Sequence, residues 1–286
     1  MRFLVTGASG MVGHLVALYL EEQGHQVVGY CRRESPISTV VKGDLYDIDL
    51  LSKVIKDGNF DIVVNAAGLL VADCESDKAN GIYINAYIPH LLAKLANENG
   101  ARLIQLSTDC VFDGNTGPYT EDTRPDGKKM YAKTKALGEV AHKPNLTLRN
   151  SVVGPDINPS GIGLLNWFMQ QEGTIEGWEK AIWTGMTSLE TAKVIDFAAR
   201  NDVYGLINMV PPASINKYDL LQLFKKYLRK DDLRIEKTDW FVSDKALTRT
   251  NFVLDWDVPS YEKMVCDMMD WINAHRKIYP DYYYCH

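Results

Sequence analysis

The sequence has little of what marks a nucleic-acid-binding, secreted or membrane-spanning chain. Its 286 residues carry 31 Lys and Arg against 37 Asp and Glu, for a formal net charge of -6. With no basic excess to neutralise a phosphate backbone, nucleic acid is not an expected partner. No apolar run approaches the roughly 20 residues that a bilayer-spanning helix needs, so no membrane association is expected. Met1-Arg2 leads directly into an apolar run, with no cleavage-like region behind it, and no secretory leader is expected. The five cysteines, Cys31, Cys74, Cys110, Cys266 and Cys285, are odd in number, scattered and without a C-x-x-C pair. That argues against a disulfide framework and a zinc site, leaves no metal expected, and fits a reducing cytoplasm. Internal repeats and low-complexity segments are also missing.

What is present is an alternation of strand and helix signals, set in motion by the stretch Arg2 to Gly13. An apolar run, Phe3 to Val5, reads as a buried strand. Gly7, Gly10 and Gly13 follow at three-residue spacing, and Met11 to Glu22 has apolar residues at helical spacing. Strand, glycine turn and helix make a phosphate cradle, because glycine lets the backbone approach a pyrophosphate and the helix N-terminus offers free N–H groups. Gly7, Ser9, Gly10, Met11, Val12 and Gly13 are therefore the first cofactor-binding candidates.

Further strands are expected at His25 to Tyr30, Thr39 to Val41, Asp61 to Asn65, Arg102 to Leu106 and Leu146 to Asn150. Helices are expected at Leu50 to Lys56, Asn85 to Asn99 and Lys129 to His142. This order predicts an α/β fold, a doubly wound parallel (Rossmann) sheet, with a smaller, partly helical substrate lobe. From Ser151 the chain is broken often by Gly and Pro, and helix and strand return at Leu189 to Asn201 and Leu206 to Val210. Two more helices are expected at Lys217 to Leu228 and Tyr261 to His275. The dinucleotide-binding domain is accordingly placed at residues 1–150 plus 187–210, and the substrate lobe at 151–186 plus 211–286.

The end of the second strand bears on which dinucleotide binds. A carboxylate there would take the adenosine ribose hydroxyls, and an arginine would take a 2'-phosphate. Here Arg32 and Arg33 follow the strand with no acid before Glu34, which favours NADP(H) and leaves NAD(H) open. Asp44 and Leu45 after the third strand are candidates for the adenine. Asn65, Ala66, Ala67 and Gly68 after the fourth are candidates for the riboses.

The chemistry is expected downstream. The fifth strand ends in Leu106-Ser107-Thr108-Asp109, and Tyr131 is followed four residues later by Lys135. That spacing puts both side chains on one helix face. The Lys135 ammonium is expected to lower the Tyr131 pKa, and Thr108 to share the substrate carbonyl oxygen. Ser107, Asp109 and Tyr131 are substrate candidates. Trp183, in a tryptophan-rich stretch with Trp167 and Trp178, is another. Arg249 is a diphosphate candidate by charge alone, and Cys110 is read as packing beside the substrate, with no His base near it in sequence.

The combined set, Gly7-x-x-Gly-x-x-Gly13, Asn65-Ala-Ala, Ser107-Thr-Asp-Cys-Val-Phe-Asp-Gly114, Gly117-Pro-Tyr-Thr-Glu-Asp122 and Tyr131-Ala-Lys-Thr-Lys135, resembles the extended short-chain dehydrogenase/reductase superfamily. Within it the chain is most similar to dTDP-4-dehydrorhamnose reductases, densely from Arg2 to about Gly154 and thinly beyond. The resemblance implies NAD(P)H-dependent reduction of a 4-keto sugar on a nucleotide diphosphate. Thr108, Tyr131 and Lys135 match its catalytic triad, and Asn85 matches an asparagine near the active-site helix. Cys110 stands where the family usually has tyrosine, and Ala132 and Thr134 replace the commoner Gly and Ser. Two alternatives share these residues: an NAD-dependent nucleotide-sugar epimerase or dehydratase, and a cofactor-binding regulatory subunit without turnover. A homodimer through the helices at Asn85 to Asn99 and Lys129 to His142 is a further expectation.

Overall fold

The computed structural model describes residues 1–228 and 231–282, so Cys285 lies outside the described residues. Seven parallel strands form the central sheet: β1 (Arg2–Thr6), β2 (Gln26–Cys31), β3 (Val40–Lys42), β4 (Ile62–Asn65), β5 (Arg102–Ser107), β6 (Leu146–Arg149) and β7 (Gly205–Asn208). They lie in the order β7-β6-β5-β4-β1-β2-β3. The strand order reverses at β1, which pairs with β4 on one side and β2 on the other. A crevice at the carboxyl ends of such neighbours is where a doubly wound sheet binds its ligand.

The strand sequences explain why the sheet is covered on both faces. Within β1, Phe3 and Val5 face one apolar cluster and Leu4 the other; β4 repeats this with Ile62 and Val64 against Val63. All six are buried to 2% exposure or less. At about 1.5–3 kcal/mol for each aliphatic side chain removed from water, these runs alone strongly favour the strand register seen. The first face is covered by α1 (Met11–Glu22), α5 (Ser188–Ala199) and α7 (Tyr261–Ala274). The second is covered by α2 (Ile48–Gly58) and α3 (Ile88–Glu98). Met264, Met268 and Ile272 of α7 thus share one core with Phe3 and Leu15.

Local signals set the ends. Asp47, Thr187 and Ser260 cap α2, α5 and α7 by accepting from Leu50 N, Glu190 N and Lys263 N. Asn59 closes α2 in the left-handed region at φ 45°. Two helices differ from the sequence expectation. The one expected from Asn85 begins as a π-helical turn over Tyr83–Tyr87, which turns Asn85 inward, before α3 proper. The one expected over Lys129 to His142 is α4 (Met130–Leu137), and Gly138 caps it. A Cβ on Gly138 would lie 2.0 Å from the Asn85 carbonyl oxygen, so the glycine lets the π turn pack there.

Beyond β6 the chain builds short ladders. Ser151–Val153 pairs with Gly185–Thr187, and Thr174–Trp178 pairs with Arg234–Thr238. Ala181–Trp183 lies between Ile215–Asn216 and Ser243–Asp244, and α6 (Lys217–Leu228) starts directly after that ladder. No helix among the described residues is long and apolar enough to cross a membrane.

Candidate active site

A cleft of about 810 Å³, open to solvent, lies at the carboxyl ends of β1, β2 and β4. Its floor is the turn from Gly7 to Gly13. Gly7 has φ 73°, and a Cβ there would fall 2.7 Å from Ala67 N. Both the backbone conformation and the space therefore require glycine. A Cβ on Gly13 would fall 2.2 Å from the Gly7 carbonyl oxygen, so α1 packs against the strand end with no room for a methyl group. Gly10 caps α1; no side chain bonds to the helix end and no acid stands in the first turn. The first-turn N–H groups and the positive dipole end are thus turned toward the cleft without an internal anion.

Ser9, Gly10, Arg32, Arg33, Asp44 and Leu45 all line this cleft, with Ala66, Ala67 and Gly68 on the opposite wall. Arg32 Nη1 stands 3.8 Å from Asp44 Oδ2, and both side chains are well exposed. Three expected residues are placed differently. The Val12 side chain packs against the core, and Met11 points toward Gly163, so these two offer the cleft only backbone. Asn65 is 1% exposed and lies beneath the turn: it accepts from Thr6 Oγ1 at 2.6 Å and from Ala67 N at 3.2 Å, and donates to Gln105 at 2.8 Å. Its role is to hold β1, β5 and the Ala66-Ala67 backbone together.

The second constellation sits at the end of β5. Thr108 caps a short turn: its hydroxyl accepts from Cys110 N at 3.1 Å and donates to Asp109 Oδ1 at 3.0 Å. The Tyr131 hydroxyl, from the first turn of α4, comes into the surroundings of Thr108, Asp109 and Cys110. One helical turn on, Lys135 is 8% exposed and its ammonium donates to the Leu106 carbonyl at 2.7 Å. Thr108, Tyr131 and Lys135 are therefore gathered at one strand end, beside the wall of the cleft. Gly68 bridges the two constellations: a Cβ there would lie 3.3 Å from Asn85 Oδ1 and 4.0 Å from Lys135 Nζ.

The electrostatics differ from the sequence expectation. Burial raises the Tyr131 pKa, with further upward contributions from Cys110, Asp109 and Cys74 and with Thr108 opposing. Lys135 is not among the groups that move it; its ammonium is turned to the Leu106 carbonyl. Burial also lowers Lys135 to about 8, while Glu139 works in the other direction. Cys110 is pushed up to about 11 by burial and by Asp109, which leaves it a thiol.

Asn85 acts as a clamp. Its side chain accepts from Leu69 N at 2.8 Å and donates to the Leu69 carbonyl at 3.0 Å, tying the loop after β4 to the π turn. Ser107 departs from its expected place toward substrate. Its hydroxyl donates to Glu139 Oε1 at 2.7 Å, within a network in which Glu139 pairs with the buried Arg149. Trp183 departs too: it is 4% exposed and belongs to the apolar core. Arg249 is spent on backbone, donating to the carbonyls of Asn251, Leu254 and Trp256.

Lys217, the first residue of α6, sets its ammonium over the Trp183 ring, 4.4 Å from the centroid, and burial lowers it to about 8, with Asp109 opposing.

The family model described as "RmlD substrate binding domain" matches residues 1–153. Among curated relatives, a probable low-salt glycan biosynthesis reductase, Agl14, of Haloferax volcanii is 34% identical over 145 residues, 49% of this chain and 48% of that protein. A dTDP-4-dehydrorhamnose reductase of Burkholderia thailandensis is 36% identical over 143 residues, 49% of this chain and 45% of the relative. The chain thus spans about half the length of the curated relatives it matches. Among solved structures, dTDP-4-dehydrorhamnose reductase of Bacillus anthracis in complex with NADP superposes with a TM-score of 0.79 at 18% identity, covering 94% of this chain and 99% of that one. At that identity the likeness is one of fold.

Proposed function

The chain belongs to the RmlD substrate-binding-domain family, and from that premise we propose that it is an NADPH-dependent reductase of a nucleotide-diphosphate 4-keto-6-deoxy sugar. What carries the reading is the meeting of Thr108, Tyr131 and Lys135 at the end of β5, beside a glycine-floored cleft. The cleft fits a dinucleotide, because the uncapped, acid-free start of α1 opens on it and the backbone of Gly7, Ser9 and Gly10 and of Ala66 to Gly68 lines it. Bound there, NADPH supplies the hydride that reduces the sugar's carbonyl carbon.

The protein's own residues do the rest. Tyr131, together with Thr108 once its hydroxyl turns from Asp109, bonds the carbonyl oxygen and holds it where negative charge develops. Tyr131 gives that oxygen its proton; its raised pKa keeps the hydroxyl protonated at neutral pH, as a proton donor must be. Lys135 lies one helical turn from Tyr131 and would hold the nicotinamide ribose hydroxyls by donating to them. Arg32 and Arg33 at the cleft edge favour the 2'-phosphate of NADP(H). The four described cysteines are all free, which suits the cytoplasm.

The test is consumption of NADPH by purified protein on addition of a panel of nucleotide 4-keto-6-deoxy sugars. Turnover in the wild type and loss of at least a hundredfold in Tyr131→Phe are expected, since a positioned proton donor contributes about 10²–10⁴-fold. Full activity in Tyr131→Phe refutes the assigned role. Isomerisation of the sugar without net NADPH loss points instead to the epimerase reading, and tight NADPH binding with no turnover to a regulatory subunit.

A further inference from the structure

The last residues of three neighbouring strands stand side by side. Ser107 ends β5, Arg149 ends β6 and Asn208 ends β7, and the ladders pair Arg149 with Ser107 on one side and with Asn208 on the other. Residues paired in this way share one face of the sheet. Glu139, two residues past the end of α4, meets them there. It takes Arg149 in a fork, Nε donating to Oε1 at 2.8 Å and Nη2 to Oε2 at 2.7 Å. The same Oε1 accepts from the Ser107 hydroxyl at 2.7 Å. Arg149 is 1% exposed, and its Nη1 donates to Asn208 Oδ1 at 3.3 Å.

This ion pair reaches the Thr108 turn from both ends. Before the turn, Glu139 fixes Ser107. After it, the Arg149 guanidinium lies 5.1 Å from the centre of the Phe112 ring. Phe112 stacks on Tyr119, with centroids 4.1 Å apart and planes 1° from parallel, and Asn208 Nδ2 donates to the Tyr119 carbonyl at 3.1 Å. Arg149, Phe112, Tyr119 and Asn208 thus close a ring of contacts. Between Ser107 and Phe112 lie only Thr108, Asp109, Cys110 and Val111. One residue before Ser107, the Lys135 ammonium holds the Leu106 carbonyl at 2.7 Å, so the strand end is held at two successive residues.

Taking two opposite charges out of water is unfavourable, and well-packed apolar residues often hold a fold as well. What an arginine–carboxylate fork adds is direction, because two parallel bonds fix orientation as well as distance. Orientation matters at this place, where the Thr108 hydroxyl has to meet a carbonyl oxygen.

We infer that Glu139 and Arg149 are positioning residues of the active site, holding the Thr108 turn at both ends through Ser107 and Phe112. The inference rests on the reductase reading for the reaction it serves. Ser107, a substrate hydroxyl by its place in the sequence, is the link from Glu139 to Thr108.

Ser107→Ala cuts that link and leaves the ion pair whole. The expected result is a kcat lowered about tenfold or more, since a misplacement of about 1 Å can cost on the order of 100-fold. The KM for NADPH and the urea midpoint stay near wild type. Phe112→Leu takes the ring from Arg149 and is expected to lower kcat from the other end of the turn. Cys110 gives a second measure, because it lies within the turn and burial keeps it a slowly reacting thiol. Iodoacetamide should label Cys110 several-fold faster in Ser107→Ala, while the fully buried Cys74 keeps its rate. Wild-type kcat in either variant overturns the inference. Unchanged Cys110 labelling in Ser107→Ala overturns it whatever kcat does, because the turn has then kept its place. Faster labelling of Cys74 with a lowered urea midpoint overturns it as well, since Ser107 then only supports the fold. If the wild type reduces no keto sugar, the reductase reading fails by itself and the labelling decides. Faster reaction at Cys110 alone then upholds the hold on the turn, and equal rates overturn it.

Discussion

Replacing Gly13 with alanine should destroy cofactor binding without unfolding the protein. Gly13 carries no positive φ, so alanine suits its helical backbone and, by propensity alone, would stabilise α1. The obstacle is contact: the new Cβ would lie 2.2 Å from the Gly7 carbonyl oxygen and 2.7 Å from the Gly7 carbonyl carbon. An ordinary carbon–oxygen separation exceeds 3 Å, so the helix start must move away from the strand end by about 1 Å. Overpacking of this kind typically costs about 1–3 kcal/mol. The displacement falls on the turn whose N–H groups face the cleft, so the loss in binding should be larger than the loss in stability. A shift of about 1 Å in that cradle is expected to weaken NADPH binding at least 100-fold, equivalent to about 2.7 kcal/mol. Gly24→Ala is the control. Its φ of 81° strains alanine, but nothing lies within 4 Å of the added methyl group. It should reduce stability by about 1 kcal/mol and leave cofactor affinity unchanged. Fluorescence titration with NADPH, paired with urea unfolding, reads both quantities. Wild-type affinity in Gly13→Ala would refute the reasoning that this turn cradles the cofactor.

Three other outcomes are expected. Replacing Arg32 and Arg33 together with serine should lower kcat/KM for NADPH by ten-fold or more and leave that for NADH nearly unchanged; a parallel fall with both cofactors refutes the 2'-phosphate assignment. His14 should carry a pH-dependent share of stability. It is fully buried, donates through Nδ1 to the Gly10 carbonyl at 2.8 Å and accepts at Nε2 from the Tyr279 hydroxyl at 2.8 Å, so it is held neutral, and burial lowers its pKa to about 4. Because the unfolded state takes up the proton first, stability falls as pH drops from 6.5 to about 4, by about 3 kcal/mol at the lower limit; His14→Gln should lack this component in urea unfolding. Asn85→Ala removes the clamp on Leu69 and should raise the KM for NADPH several-fold while Thr108, Tyr131 and Lys135 stay in place; an unaltered KM refutes the clamp.

The parallel sheet was legible because each strand buried on both faces announces itself. Phe3-Leu4-Val5 and Ile62-Val63-Val64 have no polar break, and only a strand sandwiched between helices needs such a run. The ends of the helices were less legible. The π turn at Tyr83–Tyr87 and the early stop of α4 at Gly138 are two sides of one contact, the Asn85 carbonyl against the glycine. Neither half of a tertiary contact is visible from its own stretch of sequence. Ser107 illustrates the same point within the site. A serine beside Thr108 at a strand end reads as a second hydroxyl for substrate. However, successive strand residues point to opposite faces, and the face that Ser107 takes holds Glu139 and Arg149.

Charge is where local spacing misleads most. Tyr131 and Lys135 do share a helix face, yet the lysine's effect on the tyrosine depends on where the ammonium points. The Leu106 carbonyl takes it, and Tyr131 is left desolvated among Cys110, Asp109 and Cys74. Lys135 is itself brought down to about 8 by loss of water, and the same loss raises the tyrosine. Spacing along a helix records which side chains share a face, and not which of them the fold takes out of water.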